Sequence, residues 1–116
     1  MLNQSAEVDL LFHALADPTR RGIVERLGRG PASVSELAAP LAMSLPAVVQ
    51  PLHVLEESGL VSTQKVGRVR TCRLELKRLA TVQDWIAARR TGWERSLDRL
   101  GDYLAAHPDD STEEEK

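Results

Sequence analysis

The spacing of hydrophobic residues changes at Gly59, and this change restricts the folds open to the chain. Before Gly59, apolar residues recur at three- and four-residue intervals, as they do in amphipathic helices. After it, segments 60–66 and 69–76 are enriched in β-branched residues, and Gly67-Arg68 between them suits a two-residue turn with glycine first. We therefore expect a β-hairpin within an otherwise helical chain.

The size and composition of the chain favour one small helical domain. Its 116 residues are 42% hydrophobic but only 3% aromatic, so an aliphatic core and helix-on-helix packing are expected. The longest uncharged run, 37–55, contains three prolines and does not resemble a membrane span. The first seven residues lack the basic start and apolar core of a signal peptide. We expect a cytoplasmic protein.

The helices can be placed from their caps and breakers. Segments 7–16 and 18–27 are predicted helices, and a short third helix is interrupted by Pro40. A fourth closes at Ser58-Gly59, and a fifth of some 25 residues runs from near Leu79 or Thr81 to His107. The expected order is α-α-α-α-β-β-α, mainly α with a small β-hairpin. The expected N-caps are Asp17, Ser33 or Ser35, and Ser44.

Charge is distributed unevenly along the chain. The net charge is −2, but segment 108–116 holds five acidic residues and one lysine, with no apolar anchor. We expect a disordered acidic tail there, after a single domain over 1–107. Segment 65–78 holds six cations and Glu75 as its one acidic residue. The hairpin therefore carries a basic patch of the kind that contacts nucleic acid.

The fourth helix is predicted to have one buried and one open face. Val48, Leu52 and Leu55 form the buried stripe, whereas the opposite face is small and polar. A glutamine there can pair bidentately with adenine N6 and N7 in the major groove. The candidate DNA-contacting residues, from helix ends, this open face and the hairpin, are Ser33, Ser35, Ser44, Pro46, Ala47, Gln50, His53, Lys65, Arg68 and Arg70.

The last helix is longer than this small domain can cover. Some 25 residues at ~1.5 Å each span nearly 40 Å, so part of its apolar face should pack on another chain. A symmetric dimer built from the first and last helices would satisfy it. The candidate interface residues are Leu11, Leu15, Trp85, Ile86, Trp93, Leu97, Leu100 and Leu104.

Five stretches match a known family in collinear order over about half the chain: 15–24, 35–38, 44–48, 52–61 and 65–70. With the order of elements, they resemble the ArsR-type family of bacterial transcriptional repressors. The resemblance implies a winged helix-turn-helix fold and a homodimer on a palindromic operator, usually near its own promoter, released by a signal. Half-sites would lie about 34 Å, or a whole number of turns, apart.

The chain departs from that family at two places. Val49-Gln50-Pro51 stands where members commonly have serine and, two positions later, histidine. Pro51 cannot donate to the Ala47 carbonyl, which costs ~3 kcal/mol in a regular helix, so position 51 is not expected to make a hydrogen-bonding contact. The third helix lacks the Cys-x-Cys pair of metal-responsive members, and the last offers only His107. No metal site and no cofactor are expected.

Other classes of function have little support. The three histidines fall in separate elements, and no Gly-x-Ser-x-Gly or glycine-rich phosphate loop occurs, so the chain is not expected to be an enzyme. Cys72 is expected to be a buried, inert thiol. A redox effector, or a small molecule between Trp85 and Trp93, stays open. The alternative function is a winged-helix protein-interaction module without specific DNA binding.

Overall fold

A computed structural model describes residues 4–107 of the chain, so the predicted tail at 108–116 lies outside the described residues. The elements follow the order α1-α2-β1-α3-α4-β2-β3-α5. Their bounds are α1 Gln4–Leu15, α2 Pro18–Leu27, β1 Ala32–Ser33, α3 Val34–Ala38, α4 Leu45–Ser58, β2 Val61–Val66, β3 Val69–Leu74 and α5 Leu76–Ala106.

The sheet has three antiparallel strands in the order β1-β3-β2, one more than the sequence predicts. Strands β2 and β3 form the expected hairpin, and Gly67 adopts φ +63° at the first position of its turn, as expected of a glycine-first turn. The added strand β1 pairs Ala32 with Cys72. Two residues carry no periodic signal, so only the presence of β3 beside them reveals β1.

The described part of the chain divides into two compact units, with the boundary between Val82 and Gln83. The first contains the hydrophobic core, whose largest fully buried side chains include Leu11, Ile23 and Leu55. The prediction that Leu11 lies in a dimer interface is therefore wrong, because its side chain is 0% exposed within its own protomer. Instead, Leu10 and Phe12 are the exposed large apolar residues of α1. Leu15 packs against the core and is partly exposed.

The joint between α1 and α2 is fixed by polar contacts to backbone groups. The Asp17 carboxylate accepts from the Arg20 backbone N–H at 3.0 Å and caps α2. The Arg20 Nε donates to the Ala14 carbonyl at 2.7 Å, and the Arg21 guanidinium donates to the Leu15 carbonyl at 2.9 Å. These carbonyls belong to the last turn of α1, where no later N–H of the helix is available to donate to them. Both arginines thus have a structural role in holding α1 against α2.

Helix α5 begins at Leu76, earlier than predicted, and contains 31 residues. The Glu75 N–H donates to the Leu60 carbonyl at 2.8 Å, and the Glu75 carbonyl then accepts from Arg78 N–H at 3.0 Å. The helix therefore starts where strand pairing ends and needs no Ser, Thr or Asp cap. Arg78 also pairs with Glu7 of α1. The prediction that the second strand extends to Leu76 is wrong, because β3 ends at Leu74 and Leu76 is helical and 72% exposed.

In the second unit, the large apolar side chains of α5 are mostly exposed. Trp93 is 67% exposed, and Trp85, half-buried, lies with its ring centroid 4.8 Å from the Arg89 guanidinium carbon. Over residues 4–107, no helix is long and apolar enough to cross a membrane. The other exposed large apolar residues of α5 in this unit are Ile86, Leu97, Leu100, Tyr103 and Leu104.

Candidate nucleic-acid interface

Helix α4 presents the predicted open face because its ends and its buried stripe are fixed. The Ser44 hydroxyl accepts from the Ala47 N–H at 3.3 Å, and Gly59 ends the helix with φ +83°. Val48, Leu52 and Leu55 are buried, as the sequence predicts. The helix continues through Pro51 from Leu45 to Ser58, so Pro51 does not end it.

A groove of about 430 Å³ separates α4 from the β2–β3 hairpin, which we call the wing. It brings together four of the predicted contact residues: His53 from the helix and three cations from the wing. The sequence analysis did not predict a DNA contact for the remaining residues of the groove. The full lining is Val34, Val49, Leu52, His53, Glu56, Lys65, Arg68 and Arg70.

The side chains of the three wing cations, Lys65, Arg68 and Arg70, make no interaction within the described part of the chain that stabilises the hairpin. Lys65 and Arg70 are directly opposite partners in the β2–β3 register, and like charges so placed destabilise a hairpin. Within residues 4–107, neither they nor Arg68 forms an ion pair with an acidic side chain. All three are exposed. A phosphate backbone would neutralise this repulsion.

The predicted contacts on α4 are divided between two flanks of the helix. His53 faces the wing groove, and its Nε2 lies 2.9 Å from the Glu57 Oε1, so a DNA contact by His53 would compete with Glu57. Gln50 and Ala47 instead line a shallow notch of about 270 Å³ beside Thr19 of α2. The sequence indicates one continuous open face, whereas the fold gives its two edges different neighbours.

The two serines near α3 differ in their surroundings. The Ser33 hydroxyl accepts from the Glu36 N–H at 3.2 Å, and the Ser33 N–H donates to the Glu36 carboxylate at 3.0 Å. Hydrogen bonding of the Glu36 carboxylate to the Ser33 backbone N–H, followed by that to the Ser33 side chain, lowers the pKa of Glu36. Ser33 is thus the N-cap of α3 in a capping box, while Ser35 is exposed. A phosphate contact by either serine stays a prediction.

Cys72 lies on β3 and is fully buried. Burial, followed by the nearby Glu56 carboxylate, raises the pKa of its thiol from 9.0 to about 11. A thiol in this state is a poor nucleophile at neutral pH. The position does not suit a redox sensor.

The raised pKa of the Cys72 thiol should make the stability of the protein depend on pH in the alkaline range. Because the folded pKa is the higher one, the contribution of Cys72 is fully present below pH 9 and is lost as the pH rises to about 11. We expect a loss on the order of 2 kcal/mol between those limits. Urea unfolding at pH 8 and pH 11 would measure it, with Cys72→Ala as the reference. An equal loss in both proteins would contradict the assignment.

Within residues 4–107, no group of three or more His, Cys, Asp or Glu side chains is arranged to hold a metal ion.

Comparisons with known proteins bear on this surface. A family profile for a helix-turn-helix domain matches residues 15–64. The HTH-type transcriptional regulator Rv2034 of Mycobacterium tuberculosis is 42% identical over 99 residues, covering 81% of this chain and 92% of that protein.

Solved structures with the same architecture extend the comparison. The crystal structure of an ArsR family transcriptional regulator has a TM-score of 0.73 and 47% identity, covering 81% of this chain and 97% of that one. The homodimeric winged helix-turn-helix DNA-binding domain of a possible ArsR-family regulator from Mycobacterium bovis has a TM-score of 0.56 and 25% identity, covering 83% of each chain. The chain belongs to the ArsR-type family of winged helix-turn-helix, DNA-binding transcriptional regulators.

Proposed function

We propose that the protein is a homodimeric repressor that binds a palindromic operator near its own promoter in the cytoplasm. The α4 helix of each protomer would enter the major groove, and each wing would contact flanking phosphates. The observation that carries this proposal is the shared groove, in which the open flank of α4 and the exposed cations Lys65, Arg68 and Arg70 line one surface. Gln50 would read adenine from the other flank.

The dimer is supported by the exposed apolar face of α5. Four residues at three- and four-residue spacing, Trp93, Leu97, Leu100 and Leu104, are each between 38% and 67% exposed. A helix surface of this kind buries its apolar area against another helix. The related Mycobacterium bovis domain is a homodimer. A second copy of the chain is therefore the proposed occupant of this face.

The salt dependence of operator binding tests the wing. Removing Arg68 and Arg70 together takes four cations from a dimer. The negative slope of log K against log salt, where K is the association constant for DNA, should therefore become shallower by about 3.6. Fluorescence polarisation on the chain's own upstream DNA, between 50 and 200 mM salt (roughly the range over which such slopes are resolved), would measure it. Specific and random duplexes should lose affinity together, because phosphate contacts carry no sequence information.

A matched control removes the same charge elsewhere. Arg95→Ala with Arg99→Ala also takes four cations per dimer, from exposed positions of α5 outside the apolar stripe. The salt-dependence slope of this control variant should stay near that of the unmodified protein. The wing assignment is wrong if the two double variants lose equal slope. If the unmodified protein binds upstream DNA no more tightly than random duplex, the protein-interaction module is the better description.

A further inference from the structure

Val49 is an exposed apolar residue on the DNA-facing part of α4. Its side chain is 54% exposed and lines the wing groove next to His53. Valine has a lower helix propensity than alanine, so an exposed valine in mid-helix does not improve the helix. Neither does it serve the core, whose α4 stripe is formed by Val48, Leu52 and Leu55. Folding alone gives no reason for an isopropyl group at this position.

The chemistry of the major groove supplies a reason. Thymine alone presents an apolar group there, its C5-methyl, and apolar side chains recognise it by contact. Val49 directly precedes Gln50, whose amide can pair with adenine. We propose that Val49 is a specificity-determining residue that contacts the C5-methyl of one thymine in each operator half-site. This inference rests on the proposed function, since it requires α4 in the major groove.

Deoxyuridine tests the contact one methyl at a time, because it keeps the pairing of thymine and lacks only the methyl. Once a footprint has located the operator, each thymine would be replaced in turn, symmetrically in both half-sites. For the unmodified protein, deoxyuridine at one thymine position should weaken binding about fourfold per half-site, which corresponds to the free energy of burying one methyl group. The same replacement should change the affinity of Val49→Ala less than 1.5-fold, a roughly null result within the usual error of additive effects.

Two comparisons separate a contact from a folding effect. Val49→Ala should keep its helix content by circular dichroism and its melting temperature, because alanine favours the helix. Val66→Ala removes another exposed valine, in the wing, and should retain the full deoxyuridine penalty whatever its overall affinity.

Two results would overturn the inference. If the protein binds its operator specifically but Val49→Ala retains the deoxyuridine penalty, Val49 does not read thymine and the proposed function stands. If the unmodified protein shows no preference for the operator over random duplex, both proposals fail together.

Discussion

Replacing Leu97 with glutamate is expected to dissociate the homodimer and abolish operator binding at concentrations where the unmodified protein is bound. Leu97 is 48% exposed and lies in the middle of the apolar stripe that includes Trp93, Leu100 and Leu104. By two-fold symmetry, the substitution places two carboxylates in the interface. Each costs several kcal/mol to bury without a partner, so the dimer dissociation constant should rise at least ~10³-fold.

Sedimentation velocity gives the oligomeric state, and fluorescence polarisation on the operator gives the consequence for DNA. Ala88→Glu is the matched control, because Ala88 is exposed on the side of α5 opposite Leu97. It adds the same charge and should leave the protein dimeric. The interface is misplaced if Leu97→Glu remains dimeric at micromolar concentration, or if Ala88→Glu dissociates the protein equally well.

Replacing Leu55 with alanine should have the largest effect on stability. Leu55 is 0% exposed and belongs to the buried cluster that includes Leu11, Ile23 and Leu37. Removing the three carbon atoms beyond its Cβ leaves a cavity beneath α4 and should cost about 2–5 kcal/mol. The melting temperature should then fall by roughly 10–20 °C for a domain of this size. Thermal and urea unfolding followed by circular dichroism would measure both values.

An exposed leucine provides the control for this substitution. Leu76→Ala makes the same chemical change at a position that is 72% exposed, and its cost should stay within about 0.5 kcal/mol. A loss below 1 kcal/mol for Leu55→Ala would contradict the assigned core. If the two variants lost similar amounts of stability, the burial of Leu55 and the exposure of Leu76 in the structure would not hold for the folded protein.

Much of the fold follows from local rules and could therefore be predicted from the sequence. Asp17 and Ser44 are both N-caps in the structure, because a cap depends on residues within one helical turn. The stripe Val48-Leu52-Leu55 is buried as its spacing predicts, and Gly67 takes the positive φ that its turn requires. The open face of α4 and the basic wing were identified for the same reason.

Other features depend on which segments meet, and only the tertiary structure decided them. Strand β1 exists because Ala32 reaches Cys72, far along the chain, and Leu11 is interior because of the helices packed around α1. The wing groove likewise joins Val49 and Glu56 of α4 to cations of the hairpin. Helical and strand periodicity extends over a few residues, so it determines which face is apolar; the partner of that face is determined by contacts between segments distant in sequence.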